Sequence, residues 1–162
     1  MLDAWRTAGY PEVASGIELK DDESYFTGIG FAIDYDDYLV ISEFTTVNPT
    51  DNLMPTQESF YFSFGKRFSS VLIHATYGWD ENVADNNLAN VPTGVSAELD
   101  TLIGNTAMFL SSTEVDSKFY TLGARWEVSD SVAFKVEYTD LIDDHNSSKD
   151  SSLLQFALTT TF

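Results

Sequence analysis

Apolar or aromatic residues alternate with small or polar ones through several windows of about ten residues in this sequence. A period of two is that of a β-strand, whose successive side chains point to opposite faces of a sheet. In the clearest window, 25–35, one face carries tyrosine, isoleucine and phenylalanine, and the other is mostly glycine, alanine and aspartate. Because the spacing typical of helices is rare, the sequence predicts an all-β fold.

Eight windows with this alternation are predicted strands, at 13–20, 25–35, 38–46, 59–67, 71–79, 119–128, 132–138 and 153–162. The segment 1–12 is an extension that precedes them, so the predicted sheet occupies 13–162.

The connections between these strands alternate between tight turns and longer links rich in Asp, Asn, Ser, Thr and Pro. The tight turns fall at 36–37, 67–70 and 129–130, and the longer links at 47–58, 80–117 and 140–151. This pattern predicts an antiparallel up-and-down sheet with short turns on one rim and long loops on the other. The link 80–117 is too long for a featureless hairpin loop, and the spacing within 97–110 predicts a short helix.

The composition excludes several classes of protein. The net charge of −18, from 26 Asp and Glu against 8 Lys and Arg, excludes nucleic acid as a partner, since phosphates must be neutralised by cationic side chains. The absence of cysteine excludes disulfides, zinc-thiolate sites and thiol nucleophiles. Acidic disordered chains contain few aromatic residues, whereas this one has 12 Phe, 8 Tyr and 3 Trp. The chain is therefore expected to fold.

No stretch approaches the roughly 18 to 20 apolar residues of a membrane-spanning helix. The first residues place Asp3 where a secretory signal needs basic residues, and no apolar run follows. We therefore expect that any export signal has been removed or that the chain begins partway through a larger protein.

The second face of the predicted strands differs from the solvent-exposed face of a water-soluble sandwich, which Lys, Glu, Thr and Asp dominate. It is rich in glycine and alanine and carries isolated charges of both signs, which is the composition of a crowded concave interior where charges pair. The residues predicted to line this interior are Glu18, Asp34, Glu43, Arg67, His74, Arg125, Glu127, Lys135 and Glu137, with Lys20 on the same face.

Aromatic residues of the apolar face collect near the two rims of the predicted sheet. Those at the tight-turn rim include Tyr35, Tyr38 and Trp126, and those at the long-loop rim include Tyr25, Phe44, Phe60, Trp79, Tyr120 and Tyr138. Two such belts mark the membrane interfaces of transmembrane β-barrels, and about 9 to 11 residues of tilted strand cross a bilayer. Lipid tolerates only a closed barrel, because an open edge leaves amide groups unpaired. The pattern favours a transmembrane β-barrel over the alternative, a soluble antiparallel sandwich with an aromatic core.

The C-terminal segment 153–162 has apolar residues at alternate positions, including Phe156 and Leu158, and ends in Phe162. It resembles the closing strand of Gram-negative outer-membrane porins, and the hairpin at 120–138 is similar to the penultimate strands of porin-like proteins. The resemblance implies the C-terminal portion of a porin, in which Phe156, Leu158 and Phe162 form the signal read by the barrel assembly machinery.

The resemblance also implies a function, namely passive diffusion of small hydrophilic solutes or ions across the bacterial outer membrane. The implied partners are the lipid bilayer, lipopolysaccharide, the assembly machinery and the diffusing solutes, and a homo-oligomer is compatible with it. Since a general porin has about sixteen strands, eight strands supply either half of a water-filled barrel or a complete small barrel filled by paired side chains. The alternative function is that of a non-conducting small barrel or soluble β-sandwich that binds through its loops.

Neither histidine predicts a catalytic or metal site. Catalysis at His74 would need a nucleophile and an acid on a common face, and the sequence places none there. His145 and Asp140 match no zinc or EF-hand spacing. We therefore expect no enzyme activity, cofactor or metal. The acidic loops have three interpretations that stay open: a cation-attracting mouth, calcium bridges to lipopolysaccharide, and solubility of the rim.

Overall fold

The computed structural model describes residues 1–18, 23–50, 54–83 and 88–161. Its helices are α1 (Leu2–Thr7), α2 (Pro11–Ile17) and α3 (Ala97–Ser111), with a short 3-10 helix at Ser147–Lys149. Its strands are β1 (Ser24–Tyr35), β2 (Tyr38–Pro49), β3 (Thr56–Phe68), β4 (Val71–Val83), β5 (Asp116–Ser129), β6 (Val132–Asp143) and β7 (Ser151–Thr160). In this part of the chain no helix combines the length and the apolar character needed to span a membrane.

The strands form one antiparallel up-and-down sheet in the order β1 to β7, so each strand is hydrogen-bonded to its neighbours in the sequence. The register is regular in β6 and β7, where Val136 lies opposite Phe156. The predicted all-β, antiparallel up-and-down class is therefore confirmed. Within the described residues β1 and β7 are free edges and the sheet is not closed. These strands therefore do not form the complete small barrel that was one of the two alternatives.

Three tight turns join the predicted hairpins. Asp36 and Asp37 connect β1 to β2 with φ angles of 48° and 68°, as a two-residue hairpin of type I′ requires. Ser69, in the turn before β4, has a φ of 57°. The third turn follows a bulge between Glu127 and Ser129, which delays it by one residue relative to the prediction.

The predicted strand at 13–20 is wrong, because helix α2 takes its place. Pro11 lies in the first turn of α2, where its missing N–H breaks no helical hydrogen bond. Val13 and Ala14 are buried side by side in a hydrophobic core, an arrangement that a strand with alternating faces does not allow. Glu18 therefore follows a helix instead of lying on a strand.

The described chain divides into two compact units. The helical unit comprises Met1–Thr27, Thr46–Glu58 and Glu81–Glu114, and the sheet unit comprises Gly28–Thr45, Ser59–Asp80 and Val115–Phe162.

The helical unit has a hydrophobic core of its own. Its buried members are Trp5, Val13, Ala14, Leu88, Val91, Leu99 and Leu110. The Trp5 ring is fully buried, and its Nε1 donates a hydrogen bond to Thr106 Oγ1, also fully buried, at 3.0 Å. The segment 1–12, predicted as an extension, thus contributes α1 and a central side chain to this core.

Helix α3 confirms the helix predicted at 97–110. It begins after the N-cap residue Ser96, whose hydroxyl oxygen accepts a hydrogen bond from the Leu99 N–H at 3.1 Å. This bond satisfies one of the N–H groups that the first turn of a helix leaves without a partner.

Candidate functional site

One face of the sheet unit, which we call the outer face, carries the apolar alternation of every strand. On β1, Ile29 and Tyr35 are 75% and 76% exposed, and on β7, Phe156 and Leu158 are 64% and 68% exposed. Even on β5, inside the sheet, Leu122 is 63% exposed. A continuous exposed apolar surface of this kind is typical of a membrane or protein contact.

Aromatic side chains on different strands of the outer face pack against each other. The ring centroids of Tyr77 and Tyr120 lie 5.2 Å apart, and Trp79 contacts both Phe44 and Phe60 at 6.3 and 6.2 Å. These contacts hold the rings in place along the sheet while leaving their outward surfaces open.

In the sheet unit, the aromatic residues predicted for the tight-turn belt lie at or near strand ends, whereas those of the other belt lie four or five residues inside theirs, because the strands continue beyond the predicted windows. In the sheet unit, those towards the tight turns are Tyr35, Tyr38 and Trp126, and those towards the other ends are Phe44, Phe60, Trp79, Tyr120 and Tyr138. Tyr25 belongs to the helical unit, where its hydroxyl donates to Glu23 at 3.1 Å. Near the turns, the Lys66 ammonium lies 3.1 Å from the Tyr38 hydroxyl and over its ring, so this cation stays at the rim of the apolar face. The membrane role of these residues stays a prediction.

The opposite face, which we call the inner face, is polar and holds its charges in pairs. Two nitrogens of Arg67 donate to the two carboxylate oxygens of Asp34 at 2.8 and 2.6 Å. Arg125 Nε donates to Glu127 Oε1 at 2.7 Å. The Tyr61 hydroxyl, also on this face, lies 3.3 Å from Glu43 Oε2.

His74 and Glu137 form the most enclosed pair of titratable side chains among the ion pairs of the inner face. His74 Nε2 lies 3.4 Å from Glu137 Oε1, and the other Glu137 oxygen accepts from Lys135 Nζ at 2.7 Å. The imidazole occupies the space above Gly123, where a Cβ would overlap it. Among the described residues no hydroxyl is hydrogen-bonded to the His74 ring, and its charged partner is Glu137.

Hydroxyl pairs complete the inner face, and sequence reasoning missed them. Ser63 and Thr76 are joined at 2.8 Å, and Thr121 and Thr139 at 2.7 Å. Three of these residues alternate with apolar neighbours in the sequence, which places them on the inner face. Their partners depend on the register between strands, which a single sequence does not contain.

The structure brings eight of the nine residues predicted to line the lumen onto this one face: Asp34, Glu43, Arg67, His74, Arg125, Glu127, Lys135 and Glu137. The exception is Glu18, which lies in the helical unit and forms an ion pair with Arg6. Lys20 lies outside the described residues.

The three residues of the predicted assembly signal have different outcomes. Phe156 and Leu158 lie on the outer face of β7 with exposed side chains. Phe162 lies outside the described residues. The role of the three residues stays a prediction.

Two carboxylates at the end of β6 and the start of the following loop are engaged in hydrogen bonds and ion pairs within the protein. Asp143 Oδ1 accepts hydrogen bonds from the backbone N–H groups of His145 at 3.0 Å and Asn146 at 2.8 Å. Burial raises the pKa of the Asp143 carboxyl, but these bonds and the Lys149 charge outweigh burial and hold the pKa below its ordinary value. Asp144 pairs with Lys118 at 2.8 Å. Two of the acidic side chains at this loop, Asp143 and Asp144, are therefore engaged within the protein.

Comparison of the chain with protein-family models, with curated proteins and with solved structures gives no match.

Proposed function

We propose that this chain is part of an outer-membrane, porin-like β-barrel through which small hydrophilic solutes diffuse passively. The observation that carries the proposal is the contrast between the two faces of the sheet unit. The outer face exposes Ile29, Leu122 and Leu158, whereas the inner face holds paired groups such as Asp34 and Arg67. A sheet with one apolar and one polar face is what a barrel needs to separate lipid from an aqueous lumen.

The outer face meets lipid in this proposal. In water its exposed apolar side chains would be an aggregation hazard, whereas in a bilayer they replace contacts between lipid tails. The strands have 10 to 14 residues, enough for the roughly 9 to 11 that a tilted strand needs to cross.

The inner face lines an aqueous lumen in this proposal. Pairs such as Arg125 with Glu127 keep their charges on a surface that water reaches, which avoids the penalty of burying them in a filled barrel. The whole small barrel, in contrast, would need this face to pack against itself.

Further strands complete the barrel at the two free edges. Every residue of β7 is exposed, and its ten residues include no charged residue, proline or glycine to discourage pairing. β1 is exposed along its whole length and carries a single charge, on Asp34. Since a bilayer does not tolerate unpaired amides, these edges join strands of a larger barrel, as the resemblance to the C-terminal portion of a porin implies.

The lipid contact is tested by a matched pair of substitutions on adjacent residues of β7. Phe156→Lys places a charge on the outer face, which costs about 2–4 kcal/mol near the middle of a bilayer. Gln155→Lys places the same charge on the inner face and is the control. We expect F156K to abolish insertion into lipid vesicles, measured by protection from protease, and Q155K to insert normally. Equal insertion of the two variants would contradict the proposal.

Conduction is tested in planar bilayers with the full chain refolded in detergent. Stepwise conductance is expected from the assembly that the chain forms in lipid. A protein that inserts, assembles into oligomers in lipid and is silent would contradict passive diffusion.

A loop-binding module is the second candidate function. The observation that favours it is the core of the helical unit, which Trp5 and Thr106 stabilise independently of the strand alternation. This candidate predicts a chain that is monomeric and stable in buffer without detergent, which is the outcome that would exclude the membrane proposal.

A further inference from the structure

A pocket of about 320 Å³ opens on the inner face beside the turn between β3 and β4. Its polar lining consists of Arg67, Arg125, Glu127, Ser69 and Ser70, and two leucine side chains form the rest of the wall. The chain has only 8 Lys and Arg in 162 residues, and two of its three arginines meet here. The pocket therefore gathers guanidinium groups, which are scarce in the rest of this acidic protein.

The two arginines differ in how many of their N–H groups remain available to a ligand. Arg67 is engaged by Asp34 through two hydrogen bonds. Arg125 uses only its Nε, which donates to Glu127 at 2.7 Å. Among the described residues, the two terminal nitrogens of Arg125 have no hydrogen-bond partner, and neither do the hydroxyls of Ser69 and Ser70. The pocket therefore offers a planar pair of N–H donors with two hydroxyls alongside.

The carboxylates around the pocket limit the charge of the anion that it can bind. Within the described part of the chain the second Glu127 oxygen has no hydrogen-bond partner, and Asp37 and Glu127 both lie close enough to attract the Arg67 guanidinium. With Asp34 there are three carboxylates for two guanidiniums, which disfavours a multiply charged anion such as phosphate. A ligand that brings its own positive charge relieves this repulsion and gives the second Glu127 oxygen a partner.

We propose that this pocket binds a small zwitterion that carries one carboxylate and one ammonium group. The carboxylate accepts the two terminal N–H groups of Arg125, whose fork matches the spacing of carboxylate oxygens. The ammonium group lies against Glu127. The site goes beyond the proposed function, because it needs only the inner face and its turn and would exist whether or not the sheet surrounds a pore.

The test is an NMR titration of the full chain, refolded in detergent micelles, with the free amino acid glycine. Acetate and methylammonium, each with one of the two charges, are the comparison ligands. We expect saturable shifts at the 69–70 turn with glycine and at least about tenfold weaker binding of either comparison ligand. Acetate binding as tightly as glycine would overturn the assignment.

Arg125→Gln removes the guanidinium and is expected to weaken glycine binding at least about tenfold. Arg6→Gln, the same substitution in the helical unit, is the matched control and should bind glycine as the unchanged chain does. If R125Q fails to fold, Arg125→Lys keeps the charge and replaces the planar fork with a point donor. Unchanged glycine affinity in a folded R125Q or R125K variant would refute the site. The titration does not measure conductance. A negative result would therefore refute the zwitterion site without bearing on the proposed pore.

Discussion

Single glycines set how closely the strands of the sheet unit approach. At Gly78 of β4, a Cβ would lie 2.7 Å from the Phe60 carbonyl oxygen and would overlap the Phe119 ring. The sequence places Gly78 on the inner face through its alternation. It does not reveal the ring above it, because the pairing of β4 with β5 follows a link of more than thirty residues.

Gly78→Ala should destabilise the protein by about 1–3 kcal/mol, because the added methyl group meets backbone that cannot move aside. Gly104→Ala, in α3, is the control: apart from its chain neighbours and the backbone of its own helix, no atom of the described residues lies within 4 Å of its Cβ position, and alanine should stabilise the helix by about 0.5–1 kcal/mol. Denaturant unfolding of both variants in the same detergent measures the difference. A stable G78A variant would mean that the strands are less tightly packed than described.

Secondary-structure elements were predictable where alternation is long and strict. β1, predicted at 25–35, begins one residue earlier in the structure. β6 was predicted to end at Tyr138 but continues to Asp143, because its polar residues still pair with β5, with Ile142 opposite Lys118. Polar residues at the rim of a sheet resemble a loop in sequence. The strand predicted at 13–20 was wrong because the window is short. A few alternating residues are also compatible with a helix that buries one side.

The N-cap of α3 can be tested by single substitutions at the two ends of the helix. Ser96→Ala removes the acceptor for the Leu99 N–H and should cost about 1 kcal/mol. Ser111→Ala, in the last turn of the same helix, removes a hydroxyl that donates to the Met108 carbonyl oxygen, its one hydrogen bond among the described residues, and should have little effect. Hydrogen exchange of the first-turn amides of α3 measures both. Equal protection in the two variants would show that the cap does not stabilise the helix.

Charge has to be considered over the whole molecule. The inner face carries four predicted acids, Asp34, Glu43, Glu127 and Glu137, against the three permanent cations Arg67, Arg125 and Lys135. The near balance of this face leaves most of the net charge of −18 elsewhere in the chain. Any cation preference of a pore should therefore come from the loop ends of the strands.

Asp80→Asn combined with Glu81→Gln, at the loop end of β4, should reduce the cation preference measured as a reversal potential in a KCl gradient. Glu43→Gln, on the inner face, is the control for loss of a carboxylate and should have a smaller effect. The difference should shrink as salt rises, because screening shortens the reach of exposed charges to about 3 Å at 1 M. A larger effect of E43Q than of the double variant would place selectivity on the inner face instead.

The strand count of the described sheet restricts what completes it. In an up-and-down sheet every second strand runs the same way, so β1 and β7, the first and last of seven, are oriented alike. Direct pairing of these two edges would be parallel. A fully antiparallel ring therefore requires an odd number of added strands between them, whether one or nine. An even number would force one parallel seam, so counting the strands of the finished assembly would also reveal how its last seam is made.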